Sequence, residues 1–426
     1  MALIAAAIAV MAIFTKGGKA IDFQLQPYES TPGVYFDKLG EVQLYNTEWK
    51  VVTYVNLEAL NDAYNVGKKY IQRTMRLCSE LEVNLTYTCE NEVKLLIMQL
   101  NKTQNLRELI RQTTKTEEKE NSDQNRMKRG VLNFVGSIAK ILFGTLDSQD
   151  AAYYQSHIKD LESENLSMLK VAKEQMIVVK STLQSMNSSL YDVAKNEKEL
   201  SDNIATIRGY LKDETEQIES AFRRTEIEIA VNRHLIDTQG FLAQLKDHYE
   251  ILLNGIMLAQ KGVLQPQIIS PSDIIKSFSK AQNNFPPGMT LPVELRLAYG
   301  YLITRIAEIE VFITKEILGY IVKVPLVDKV KYDLIKVIPF PTRVNGEVDN
   351  FVFINSENEF ILLDQNRQNY VMLTENQINN CKRLNDKLKV CKQEFAIKLA
   401  HSHEECVVKL LTGAQVMPQD CQKKCN

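Results

Sequence analysis

Beyond residue 20 the sequence has no apolar run of eighteen or more residues, so no segment of residues 21–426 is expected to cross a bilayer as a helix or to serve as an anchor. Charge of one sign is also missing: 51 Lys and Arg stand against 53 Asp and Glu, a formal net of -2. That balance excludes the basic face through which proteins bind nucleic acid by releasing counterions. There is no G-x-S-x-G, no H-E-x-x-H and no paired C-x2-C, and His401-Ser402-His403-Glu404 fits no ligand spacing. No hydrolase is expected, and no catalytic residue, cofactor or metal is assigned. Proline is absent from Gly33 to Gln265, and glycine from Thr145 to Arg208, so little in that stretch breaks a helix.

What is present begins with export. Ala2 to Phe14 is an unbroken apolar run followed by small residues at Gly18 and Ala20, which predicts a signal peptide cut after Ala20. Sequons at Asn84, Asn101, Asn165 and Asn187 agree with the secretory route and are the candidate glycosylation sites. Seven cysteines in an exported chain are expected to pair as disulfides, leaving one over: Cys78, Cys89, Cys381, Cys391, Cys406, Cys421 and Cys425.

At 426 residues with 45% hydrophobic content the chain can bury a core, and the expected class is α+β with helix dominant. EWKVVTYV at Glu48–Val55 reads as a strand, and Asn61–Ile110 as mostly helical. YIVKVPLV from Tyr320, YDLIKVIPF from Tyr332 and FVFINSENEFILL from Phe351 read as short strands of a modest sheet, punctuated by Pro325, Pro339, Pro341 and Gly346. The polar stretch Thr113–Asn125 holds no large apolar side chain and is expected to be an exposed loop.

That loop ends in Arg126-Met127-Lys128-Arg129-Gly130, an R-x-K-R sequence suited to the acidic subsites of a furin-like protease. Directly after it comes an oblique apolar amphipath with Val131, Leu132, Phe134, Val135, Ile138, Ile141, Leu142 and Phe143 on one side, and Asn133, Ser137, Lys140 and Gly144 on the other. A cut after Arg129 would make this segment a new N-terminus. Its large side chains represent on the order of 10 to 20 kcal/mol that must be hidden in protein or delivered to a bilayer. Downstream a 3-4 spaced seam runs through Leu169, Ala172, Met176, Val179, Leu183, Met186, Leu190, Val193, Glu197, Leu200, Ile204, Ile207, Leu211, Glu214, Ile218 and Ala221, broken only by its two glutamates. As one helix this predicts a coiled coil of roughly 80 Å. A released apolar N-terminus ahead of a coil is the physical plan of a class I fusion machine, whose refolding supplies the work of merging membranes.

RMKRGVLNFVGSIAKILFGTLD from Arg126 resembles the cleavage site and fusion peptide of baculovirus fusion (F-type) glycoproteins and of the related envelope proteins of gypsy-like insect endogenous retroviruses. EWKVVTYVNL from Glu48, AQKGVLQPQIISPSDI from Ala259, YDLIKVIPFPT from Tyr332 and the run from Tyr370 to Cys391 resemble that family too. The resemblance implies a homotrimeric class I fusogen with a long central coiled coil and a small β region, cut after Arg129 and often triggered by acid. It implies partners in a furin-like protease, a target membrane and a cell-surface receptor, and a place on a virion or cell surface. It also implies a disulfide joining the two fragments, which here would have to run from Cys78 or Cys89 to the C-terminal cluster.

On this reading the chain divides into a signal peptide (1–20), an N-terminal fragment (21–129), a fusion peptide (130–147), a heptad-repeat coil (148–240), a helical region (241–318), a β-rich region (319–375) and a cysteine-rich end (376–426). His157, then His234 and His248, are the candidate acid sensors, because imidazole changes charge between about pH 5 and 8. The alternative is a host-captured, soluble relative that binds a receptor or interferes with an intact fusogen. The absent anchor favours the alternative, and the preserved cleavage site and apolar tip favour the fusogen.

Overall fold

The computed structural model describes residues 33–81, 83–113, 140–143, 148–186, 188–212, 220–314, 316–343, 351–401, 405–414, 418 and 421. The fold is α+β with helix predominant. Its spine is two long strands, β1 (Val34–Asn56) and, later in the chain, Ile317–Pro339, antiparallel from Val34↔Pro339 to Asn56↔Ile317. Register shifts between Lys38 and Gly40 and twice between Gln43 and Thr47 bend the pair. The other strands longer than two residues are β2 (Lys140–Phe143), β3 (Met168–Val171), β4 (Met176–Lys180), β5 (Glu308–Ile313), β7 (Phe360–Asp364), β8 (Asn369–Leu373) and β9 (Leu388–Lys392), with Ile317–Pro339 as β6.

Each half of the spine carries its own wings. At one end β9 pairs in parallel with Glu41–Tyr45 of β1, while β7 and β8 extend the sheet beyond β6. At the other end β4 pairs in parallel with Lys50–Tyr54, β3 closes a hairpin on β4, and β5 and β2 extend the sheet beyond β6. The β region is therefore larger than the modest sheet the sequence predicts, because it recruits β1, β3, β4 and β9 from outside residues 319–375. Pro325 lies inside β6 opposite Glu48. It is accommodated because on its other side β5 pairing ends at Lys323 and the Met289–Thr290 pairing starts at Val327, so no second ladder needs its N–H.

The helices follow from the strand. Asn56 ends β1 and caps α1 (Leu57–Ser79), its side chain accepting from Ala59 N at 2.9 Å. Leu60, Tyr64, Ile71 and Leu77 of α1 are buried in the main core at helical spacing. The Cys78–Cys89 bond staples α1 to α2 (Val83–Thr113), worth about 3 kcal/mol by loop closure. The long α7 (Ser220–Ala259) contributes Leu242, Leu245, Leu252 and Ile256 to the same core. Between α2 and α7 in sequence come α3 (Ser148–Ser163), α4 (Thr182–Met186), α5 (Ser188–Tyr191) and α6 (Val193–Lys212). In the C-terminal region Cys381–Cys391 and Cys406–Cys421 place Cys391 and Cys421 in the two clusters that cover opposite faces of the far half of the sheet.

The seam is not one helix here. Leu169 lies in β3, Ala172 in a 3-10 turn, Met176 and Val179 in β4, Leu183 and Met186 in α4, and Leu190 in α5. Val193, Glu197, Leu200, Ile204, Ile207 and Leu211 share α6, and Ala221 starts α7. Glu214 and Ile218 lie outside the described residues. The physical reason for the departure is MIVVK, four apolar residues in a row, which a strand covered on both faces buries completely. Ile177 and Val179 face the main core, while Met176 and Val178 face a second cluster with Ala151, Tyr154, Ile158 and Leu161 of α3.

Phe312 of β5 lies over Gly319 of β6, where an added Cβ would stand 2.2 Å from the ring. Gly319→Ala is expected to displace that buried ring and cost about 1 to 3 kcal/mol, measured as a lower urea midpoint at unchanged m-value.

Candidate functional site

The functional residues expected from sequence form several groups. The cleavage group, Arg126, Lys128, Arg129 and Gly130, lies outside the described residues, as do Val131, Leu132, Phe134, Val135 and Ile138 of the apolar segment. Ile141, Leu142 and Phe143 fall in β2, not in the expected helical amphipath: Lys140 stands opposite Ile313 and Ile141 opposite Phe312. The edge that β5 offers explains the difference, since a short apolar run can satisfy a sheet ladder as well as a helix face.

The seam group is brought together on the N-terminal part of the chain. Leu183, Leu190, Leu200, Ile204 and Ile207 are buried in the main core, with Val193 and Leu211 packed against it. Glu197, which interrupts the seam, has a positive partner: Lys69 of α1 hydrogen-bonds its carboxylate and holds it below the usual carboxylate range. The Tyr70 hydroxyl donates to the Glu197 carbonyl, and Arg208 forks onto Glu80 at 2.9 and 3.1 Å. Sequence reasoning missed Ile177 and Val178 and the N-terminal partners Lys69, Tyr70 and Glu80. The β-branched run MIVVK was the available signal for the first two. Nothing local signals the partners, which lie more than a hundred residues away.

Of the candidate acid sensors, His157 sits on α3 with Nδ1 3.5 Å from Asp160 and its ring edge-on to Tyr153. His234, on α7, is buried and is the better placed. Thr74 Oγ1 donates its proton to the Tyr70 carbonyl, so the 2.8 Å contact with His234 Nε2 is an N–H donated by the imidazole. Nδ1 is then a bare acceptor, buried without a hydrogen-bond partner. Burial pulls the pKa down from 6.5 to about 4, opposed only by Asp237 one turn on. His248 is likewise lowered by burial, against the carbonyls it faces, with Nδ1 2.8 Å from Gln244 O.

The cysteines pair as Cys78–Cys89, Cys381–Cys391 and Cys406–Cys421, and Cys425 lies outside the described residues. The bond expected between the two fragments is therefore replaced by one within the N-terminal fragment, where antiparallel α1 and α2 bring Cys78 to Cys89 across a tight turn. Asn165 is exposed in the α3–β3 turn at φ 51°, an open position for a glycan. Asn101 is exposed on α2, but Thr103 of its sequon is buried and donates to Gln99 O at 3.0 Å, so sugar would have to be added before folding. Asn84 has no described side chain, and Asn187 lies outside the described residues. Among the described residues no helix is long and apolar enough to cross a membrane.

A His234 whose folded pKa lies below its unfolded value contributes stability that is present above pH 6.5 and lost as pH falls toward 4. The loss is expected to reach about 2 kcal/mol by pH 5. His234→Gln should flatten the urea midpoint against pH across that window.

The chain is 24% identical over 318 residues to the envelope fusion protein of Lymantria dispar multicapsid nuclear polyhedrosis virus, covering 71% of this chain and 40% of the relative. It thus spans about two fifths of that relative's length. Family-wide comparison matches residues 1–426 to Baculovirus F protein, and the chain belongs to that family, whose members are structural envelope glycoproteins and not enzymes.

Proposed function

We propose that this chain is the working part of a class I membrane fusion glycoprotein made as a precursor. It enters the secretory pathway, and a furin-like protease cuts after Arg129 to make Gly130 the start of a fusion peptide. A trigger then converts Leu169–Ala221 into the central coil of a homotrimer, the apolar tip enters a target membrane, and zippering of the assembled helices draws the two bilayers together. The partners are the protease, a cell-surface receptor, the target membrane and two further copies of the chain.

The observation that carries this reading is the mismatch between the spacing of the seam and its fold. Its 3-4 spacing is that of one long helix, yet Met168–Val171 and Met176–Lys180 of the same seam are strands in this fold. One sequence that suits two packings is the bistable element a spring-loaded machine requires. Family membership and the apolar segment behind an R-x-K-R site support it further. Acid fits as the trigger, because protonating His234 would bury an unpaired N–H between α7 and α1.

Expression in insect cells, with and without a furin inhibitor, tests the reading. The larger band is expected to begin at Gly130, and Arg129→Ala or the inhibitor should leave only the precursor. Cleaved protein should float with liposomes after acidification and the precursor should not. A chain that is never cut, or that floats equally well uncut, would sink the proposal.

A further inference from the structure

The described seam meets the N-terminal fragment along one continuous line. Thr47 Oγ1 donates to Gln175 Oε1 at 2.7 Å, Lys50–Tyr54 pairs in parallel with Met176–Lys180, and Asn56 N donates to Gln184 Oε1 at 3.3 Å. Lys69 then pairs with Glu197, and Glu80 with Arg208. Thr47–Gln175, Asn56–Gln184, Lys69–Glu197 and Glu80–Arg208 each join residues 128 apart in sequence. Residues 47–80 and 175–208 therefore lie side by side and parallel, strand beside strand at Lys50↔Met176 to Tyr54↔Lys180 and helix beside helix at Lys69–Glu197 and Glu80–Arg208.

Two further facts give that register a consequence. Among the described residues β4 pairs only with β1 and β3, and β3 pairs only with β4, so the β3–β4 hairpin joins the sheet entirely through β1. An isolated two-stranded hairpin is marginal in water. Secondly, residues 21–129 contain Cys78 and Cys89 and no other cysteine, and these two are bonded to each other. The N-terminal fragment has no thiol left with which to hold the rest of the chain.

We propose that the N-terminal fragment, once severed, stays on the larger fragment without a covalent bond and serves, through β1, as the strand partner that keeps Met176–Lys180 out of the helical seam. Loss of β1 from β4 is then the committing step of refolding, and the cut makes that loss irreversible because the fragment can diffuse away. The β1–β6 ladder and the α1 core retain the fragment until the trigger acts. This inference rests on the cleavage and refolding reading above, but its test does not depend on furin.

The test uses the whole chain, expressed through the secretory pathway, with residues 126–129 replaced by the recognition sequence of a site-specific protease and cut in solution without reductant. The two fragments are expected to co-elute at neutral pH and to separate on a denaturing, non-reducing gel. A single band carrying both fragments under those conditions, through exchange with Cys425 or otherwise, would overturn the proposal. Amide exchange of the cut complex in rising urea reads the second half. Peptides covering 49–56 and 176–180 should lose protection together, by about tenfold or more, while 360–363 and 370–373, which pair with each other, remain protected. Persistent protection of 176–180 after 49–56 has exchanged would refute the clamp. Thr53→Cys with Val179→Cys supplies a cross-link at partnered positions, both buried, and the Thr53 hydroxyl has no hydrogen bond to lose. The oxidised variant should keep the fragment on the denaturing gel and move the loss of 176–180 to higher urea, and reductant should restore the parent behaviour. An oxidised variant whose 176–180 still exchanges at the parent urea concentration would count equally against the clamp.

Discussion

The antiparallel pairing of β1 with β6 organises the remainder of the molecule, because every other layer is positioned relative to those two strands. Its near half is sandwiched between the helical core and α3, so β1 buries Trp49, Val51 and Val55 on one face and Val52 and Tyr54 on the other. Its far half is covered by two clusters that include Cys391 and Cys421 of the C-terminal disulfides. A strand buried on both faces cannot slip by one residue without moving side chains between two differently shaped cores, and this fixes its register. The direction in which α1 leaves the sheet follows, since the Asn56 cap sits at the last paired position of β1.

Much of this was legible in sequence where the signal is local. EWKVVTYV announces the C-terminal third of β1, the apolar spacing of Asn61–Ile110 announces α1 and α2, and the late β-favouring runs announce β6 and β7. The family resemblance was legible from the residues around Arg126 and is matched across the whole chain. Illegible were the features that depend on distant partners. The 3-4 spacing at Met176 and Val179 is also compatible with a strand, and only the cover supplied by β1 and α3 decides between the two. The Cys78–Cys89 pairing likewise depends on how closely α1 and α2 meet at their turn.

The polar groups along the seam show a similar dependence. On a helical wheel Glu197 looks like a flaw in an apolar stripe, whereas in this fold it is half-exposed beside Lys69 and its carbonyl accepts from Tyr70. An exposed pair of this kind contributes little to net stability, so its role is to set register more than to add strength. Glu80 with Arg208 repeats the arrangement eleven residues on, three turns along both helices.

The two fates of Met176–Lys180 can be weighed directly. The strand buries Met176, Ile177, Val178 and Val179, whereas a coil seam of 3-4 spacing uses Met176 and Val179 and leaves Ile177 and Val178 off the contact line. At about 1.5 to 3 kcal/mol each, those two side chains favour the strand by roughly 3 to 6 kcal/mol within one copy. Three β-branched residues in succession also lower the helical alternative. A single chain therefore has reason to remain in the strand form. The proposed coil would prevail only when the strand partner is removed, or when packing against other copies returns more apolar burial than β1 and α3 supply. On the proposed reading the barrier to refolding would reside in the pairing of β1 with β4, and the driving force in association between copies.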